Sequence, residues 1–543
     1  MIPGNAVVLG MYVLLAVASC GATIHAGESP AASGKTLDWA ALNDRAAQDY
    51  LQPVRPGVPG KDPFWNIYSR QFTYVPAFDF PINDKAVSYH FECKDLAGNK
   101  NYSCNLTHPW DPITPLWMQL PAAAIEMTVQ AVDADGTAIQ EIGKRIYCRR
   151  ASFHGPYHER NKSYTECGLQ ELRFLYHLPC VQELGKTGVA DPKFYDYFCY
   201  PSKMLAAIVC GLCDYAKRSP ADRDSALQIA RRAADYLIKT SVPAGNKLEY
   251  LPLTYAGDNA FAKGRNDNIM MSYSFDVALA YLDLYDAVND EKYLKTACRI
   301  VETFCRLQLP EGSWYYIYDF KKEEPVSKNI CIPDSYLNLI DRLELHGEKA
   351  GCVSRNRALS WILNNPVKTF NWEGQFEDVL PTPPYRNLSK GQACGVACYL
   401  LDHRKQDPSY LNVANEIARY AEDQFVLWAP CALPKAMVKQ FEANVLPGSL
   451  LPCAQEQYGW MKPINASASD LIVVWLKLYE ATGDRLYLAK AVSMGNCMTL
   501  TQRDNGQLPT YWMNEGKGND DNWLNCEVFA AITILKLADV WDK

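Results

Sequence analysis

The sequence predicts a mainly α protein, an α/α toroid of about six helical hairpins preceded by a small β-sandwich. Three observations carry that expectation. Residues 62–150 alternate apolar and polar side chains with the two-residue period of strands. From about residue 165 the period becomes helical. The helical part then repeats itself along the chain.

In the first region Val87, Tyr89, Phe91 and Cys93 alternate with polar neighbours, as do Tyr102, Cys104 and Leu106. Gly98-Asn99 supplies a turn between the two runs. Ile125, Met127, Val129 and Ala131 form a further run, closed by the turn Asp133-Ala134-Asp135-Gly136. Several short strands with hairpin turns indicate a sandwich. Cys93 and Cys104 fall on apolar faces of neighbouring strands, which makes them the best disulfide candidates.

In the second region Ala280–Leu294 matches Val474–Leu488, with Leu284/Leu478, Tyr285/Tyr479, Asp290/Asp484 and Tyr293/Tyr487 identical. A fainter third copy surrounds Tyr410-Leu411. Each copy reads as a helix, a short turn and a second helix. The first helix of a pair is apolar nearly all round and must be enclosed. The second is amphipathic and has a wet face. Alternation of the two makes an inner and an outer ring over residues 165–543. Connections within a pair are short, such as Asn289-Asp290 and Gly483-Asp484. Those between pairs are long: 241–267, 309–333, 365–388, 427–465 and 503–522. Antiparallel pairing places all the long loops at one end, the default place for a site.

Composition narrows the function. Of 543 residues, 48% are hydrophobic and 21% charged, which excludes a disordered chain, a collagen and a polytopic membrane protein. The net charge of -7 argues against nucleic-acid binding. Residues 1–26 read as an export signal and 27–61 as a linker. Val17-Ala18-Ser19-Cys20 resembles a lipoprotein cleavage box, in which Cys20 would carry a lipid anchor. A secreted, periplasmic or cell-surface protein is expected, with no membrane span. Cys210-Gly-Leu-Cys213 has metal-type spacing but no second pair, so no zinc site is expected there.

The hairpin repeat, the aromatic-rich long loops and the β-domain in front resemble the six-hairpin glycosidase-like superfamily of glycoside hydrolases and polysaccharide lyases. The resemblance covers roughly residues 165–543 and rests on architecture. It implies a carbohydrate substrate and transfers no catalytic motif. No cofactor is expected, with calcium as the alternative.

The loops supply candidates on their own account. Trp314, Trp372, Tyr458, Trp460, Trp512 and Tyr255 could stack on sugar rings, with Arg265 and Arg386 beside them. Plugging the mouth of the ring is the alternative for these aromatics. Glu377, Glu373, Glu456 and Asp267 are the candidate catalytic carboxylates, expected to converge on one cleft. Glu373, Glu377 and Asp378 also offer a calcium site. Asp334 and Asp521 precede inner helices and read as caps. Glycoside hydrolysis needs two carboxylates with different protonation. A lyase instead needs Tyr or His and a cation, for which His154, His158, Tyr255, Arg265 and Tyr458 are candidates. A non-catalytic glycan-binding toroid is the third reading.

Overall fold

The computed structural model describes residues 36–55, 65–377, 384–437, 450–512 and 522–542. The inner helices are Pro201–Arg218, Met271–Val288, Asp334–Leu345, Gly391–Asp402, Asn465–Thr482 and Leu524–Trp541. Each packs on the next, and the sixth packs on the first, so the ring is closed. The outer helices are Tyr164–His177, Arg223–Thr240, Glu291–Leu307, Cys352–Asn364, Ser409–Phe425 and Arg485–Thr501. This is an α/α toroid of six hairpins. Five of them are sequential. The sixth joins the chain's last inner helix to its first outer helix, Tyr164–His177.

Local sequence explains the pairing. The inner helix Met271–Val288 is buried from Met271 to Leu284. Its partner Glu291–Leu307 buries a stripe from Tyr293 to Leu307 and exposes the rest. Asn289 ends the inner helix in the left-handed conformation, and the Asp290 carboxylate caps the next one by accepting from the Lys292 amide. Gly483 and Asp484 do the same at the matching repeat position.

The long loops are more ordered than their composition suggests. Two small three-stranded sheets fold within them. One joins Asn268–Met270, Ile317–Asp319 and Glu324–Pro325; the other joins Val426–Leu427, Cys453–Gln457 and Trp460–Pro463.

The β-region departs from the expected sandwich. It holds one five-stranded sheet: β1 (Gln71–Phe72), β2 (Ser88–Asp95), β3 (Asn101–Leu106), β4 (Ala124–Val132) and β5 (Ala138–Arg149), in the order β1-β5-β4-β2-β3. No second sheet faces it among the described residues. Its apolar face is covered by Phe78, Phe80, Ile113, Leu116 and Trp117 from the connecting segments. Two-residue periodicity reports one buried face and cannot say what covers it. Cys93 pairs across the ladder with Tyr102, and Cys104 with Phe91, so the two cysteines are diagonal neighbours. Both are free thiols here, which corrects the expected disulfide.

The segment before the sheet contains the helix Trp39–Asp49, which packs on the outer helix Arg485–Thr501. The sheet itself is tied to the toroid through Asp423, whose carboxylate accepts from the Thr73 and Tyr74 amides at 2.6 and 2.8 Å. No described helix is long and apolar enough to cross a membrane. The signal and anchor candidates, Cys20 included, lie outside the described residues.

Candidate functional site

All six inner helices begin at the end of the ring that carries the long loops, and several carry buried polar side chains within their first two turns. The first contributes Lys203, the second Tyr273 and Asp276, the third Asp334, and the fifth Ser467 and Asp470. Lys390 directly precedes the fourth. All are buried. Such groups in otherwise apolar helices need partners, because an isolated buried charge is costly.

Two lysine-centred clusters result, on helices opposite each other in the ring. In the first, Lys203 Nζ lies 2.6 Å from Glu377 Oε1, with both side chains at most 1% exposed. The Tyr273 hydroxyl donates to Glu377 Oε2. The Lys203 ammonium also sits 4.3 Å from the centre of the Trp523 ring. The Glu377 backbone is held as well: its carbonyl accepts from the Tyr255 hydroxyl at 3.0 Å and from Arg265 Nη1 at 2.8 Å. In the second cluster, Lys390 Nζ donates to the Glu456 carbonyl at 2.7 Å and to Ser467 Oγ. Burial lowers the Lys390 pKa, against the pull of Asp470 and Glu456.

The aspartates respond to burial in the opposite sense. Burial pushes Asp470 up to about 8, against the Lys390 charge. Asp276 rises by burial and then by the Asp334 charge, and Asp334 by burial foremost. Asp334 is the first residue of its helix and makes no capping bond, unlike the cap the sequence suggested. Gly395 on the fourth inner helix makes room for it, since a Cβ there would lie 2.1 Å from Asp334 Oδ2. The clusters meet around Cys526 on the sixth inner helix. Burial, then the charges of Lys203, Glu456, Glu527 and Glu377, set that thiol's pKa.

The structure thus draws Glu377 and Glu456 to the axis, with Tyr255 and Arg265 supporting Glu377. It separates the other two carboxylates from them. Glu373 lines a groove nearer the rim. Asp267 is 39% exposed and pairs with Lys321 Nζ at 2.9 Å. Trp314 packs among Phe275, Phe304 and Tyr336, and its indole N–H donates to the Phe304 carbonyl at 2.8 Å. Trp372 is buried. The Trp512 indole donates to Asn465 Oδ1 at 2.6 Å, and the Tyr458 hydroxyl to Gln424. Trp460 lies 4.2 Å from Lys462 Nζ, and Arg386 is exposed. His154 and His158 are exposed, and the His158 carbonyl accepts from Asn496 on the outer helix Arg485–Thr501. Asp378 and Asp521 lie outside the described residues. No cluster of three or more metal-type ligands occurs among the described residues.

Lys203, Tyr273, Asp276, Lys390 and Asp470 were missed by a search centred on loops. A signal for some existed: charges set among the apolar residues of inner helices. The repeat register that carries Leu284 onto Leu478 also carries Asp276 onto Asp470.

No family model and no curated protein matches the chain. Solved structures resemble it at low identity. A family 76 glycoside hydrolase from a bovine Bacteroides thetaiotaomicron strain is 11% identical, covering 87% of this chain and 96% of its own, with a TM-score of 0.49. A cellobiose 2-epimerase from Spirochaeta thermophila is 12% identical, covering 63% and 87%, with a TM-score of 0.46. A family 76 α-mannanase from Bacteroides thetaiotaomicron is 14% identical, covering 70% and 96%, with a TM-score of 0.46. These are likenesses of fold. On its own geometry, a closed ring of six inner and six outer helices, the chain is an α/α toroid of six hairpins.

Proposed function

We propose that the chain is an exported glycoside hydrolase acting on an oligo- or polysaccharide at the loop end of the toroid axis. One observation carries the reading. Glu377, ion-paired with Lys203, faces the same ring interior as Asp470, whose pKa burial pushes up to about 8. Two carboxyls in opposite protonation states are what glycoside hydrolysis requires. Glu377 takes the role of base or nucleophile, positioned by Lys203, Tyr273 and the clamp on its backbone carbonyl. The acid comes from the Glu456–Asp470 side. Protonation of the glycosidic oxygen there, with water or Glu377 attacking the anomeric carbon, completes the displacement.

A second reading has its own support. Tyr273, Lys203 and Arg265 gather a phenol and two cations about Glu377. That set suits β-elimination from a uronate, with a cation neutralising the substrate acid.

A screen on neutral and uronic-acid polysaccharides separates the two. Hydrolysis is expected to raise reducing ends without absorbance near 235 nm. A rise in both overturns hydrolysis in favour of elimination. Binding without either product reduces the toroid to a glycan-binding module. With a substrate in hand, Glu377→Gln is expected to lower turnover on the order of hundredfold or more.

A further inference from the structure

A groove of about 630 Å³ opens away from the axis, where the turn Trp65–Tyr68 meets the loops on either side of the outer helix Cys352–Asn364. Neither axial lysine lines it. Its walls combine flat rings with hydrogen-bonding groups. Tyr68 stacks face to face on Tyr385, with ring centres 4.3 Å apart and planes 5° from parallel. Tyr68 is 42% exposed. Tyr385 is fixed beneath it. Its hydroxyl donates to the Thr369 carbonyl at 2.9 Å, and its amide donates to Asn371 Oδ1 at 2.8 Å. Trp361, half-buried, adds a second ring.

The polar groups between the rings have capacity to spare. Burial raises the Glu373 pKa. The Asn371 side-chain oxygen is occupied, which leaves its amide hydrogens for a ligand. Among the described lining residues, Lys328 is the one basic side chain and Glu373 the one acidic side chain. A groove so balanced gains no net attraction for a polyanion. Apolar ring faces beside neutral donors and acceptors match a pyranose, whose C–H face is flat and whose edge carries hydroxyls.

We propose that this groove is a second carbohydrate-binding site, taking neutral pyranose units on Tyr68 and Trp361 with Glu373 and Asn371 as hydroxyl partners. The choice of ligand class rests on the carbohydrate reading of the axis; the groove's geometry does not. Because the loop 365–388 lines the groove and also carries Glu377, a long glycan held here would be kept near the Glu377 cluster. The groove thus contributes affinity for polymers and leaves the reacting atoms to the axis.

Calorimetric titration of the full chain tests it, with cellohexaose, mannohexaose, xylohexaose and hexagalacturonate as probes. The chain would carry Glu377→Gln so that no probe is consumed. At least one neutral hexasaccharide is expected to bind with a millimolar or tighter Kd. Tyr68→Ala and Trp361→Ala are each expected to weaken that Kd at least tenfold. Tyr68 is exposed, so Tyr68→Ala keeps the test valid if Trp361→Ala lowers Tm. Three outcomes overturn the proposal: no neutral probe binds, binding survives both substitutions, or hexagalacturonate binds more tightly than every neutral probe. Failure of the axial reading looks different, since turnover would be absent while groove-dependent binding remained.

Discussion

Two buried Lys–Glu pairs with tyrosine partners occur in this protein, and they are built for different ends. At the axis, Lys203 and Glu377 lie 2.6 Å apart with the Tyr273 hydroxyl on the second carboxylate oxygen. Between the N-terminal segment and the outer ring, Lys490 and Glu422 lie 2.7 Å apart. There the Glu422 carboxylate also accepts from the Tyr50 hydroxyl, the Tyr74 hydroxyl at 3.0 Å and the Trp428 indole at 3.0 Å. A carboxylate has about four lone-pair sites. Four donors saturate Glu422, whereas two donors among the described residues leave Glu377 with acceptor capacity. Saturation marks a clamp. Spare capacity on a loop-borne carboxylate marks a group that can still meet water or substrate. Residue type and burial are the same in both, so the number of donors makes the distinction.

Breaking the clamp is expected to have the largest effect. Lys490→Met leaves Glu422 buried without its cation, a change that typically costs about 3–5 kcal/mol. Thermal and urea unfolding should show it. The paired variant Lys490→Met/Glu422→Gln should recover much of that loss, because removing both charges together is often nearly neutral. Turnover per folded molecule should stay within about threefold of wild type. A larger drop would mean that the clamp reaches the site.

The matching pair of substitutions at the axis should behave in reverse. Lys203→Met/Glu377→Gln is expected to fold, since both charges leave together, yet to lose about hundredfold or more in turnover. That corresponds to about 2.7 kcal/mol of lost transition-state stabilisation. If this double variant instead fails to fold while keeping activity when rescued by low temperature, the axial pair is the clamp and the comparison is inverted.

A pH series sharpens the same contrast. Asp423 at the sheet–toroid junction is raised to about 7 by burial, against the hydrogen bonds from Tyr74, Thr73 and Gln424. Asp470 is raised to about 8. An unfolded Asp has a pKa of about 3.9. Between those values the folded state holds protons that the unfolded state has lost, so stability falls as pH rises. The fall begins near pH 4 and continues to about 7 for Asp423 and about 8 for Asp470, at no more than about 1.4 kcal/mol per pH unit for each group. Asp470→Asn should flatten the dependence of Tm on pH across this window. An unchanged slope would show that Asp470 is not held protonated.

Sequence reached the ring because an enclosed helix must be apolar on every side, and Leu284/Leu478 repeat that enclosure. It did not reach the closing hairpin, since Tyr164–His177 and Leu524–Trp541 meet only in three dimensions. The β-region was legible strand by strand through Tyr89, Phe91 and Cys93. Its covering layer of Phe78, Phe80 and Trp117 carries no period, so the strand pattern alone cannot show it. Loop composition brought out Glu377 and Glu456. It could not distinguish a tryptophan facing a ligand from one like Trp314, whose ring fills the space between helices. The axial aspartates were obscured by their own context, since other charges share their helices, Asp283 and Asp286 with Asp276 and Lys477 with Asp470.

The smallest effect is expected at Asp267, which the sequence ranks beside Glu377. Its carboxylate is 39% exposed and its partner Lys321 67% exposed, so water screens the pair. Exposed pairs of this kind are typically worth about 1 kcal/mol or less. Asp267→Asn keeps the side chain's shape and its backbone carbonyl, which accepts from the Phe320 amide at 2.8 Å. Stability should therefore change by less than about 1 kcal/mol, and less still in high salt, where the ion pair is screened further. Turnover should stay within about threefold of wild type, because the carboxylate faces Lys321 and solvent while the axial groups are enclosed. A loss approaching that of Glu377→Gln would place the reacting atoms at the loop surface. The two lysine clusters would then be structural, and the difference between saturated and unsaturated carboxylates would no longer identify the site.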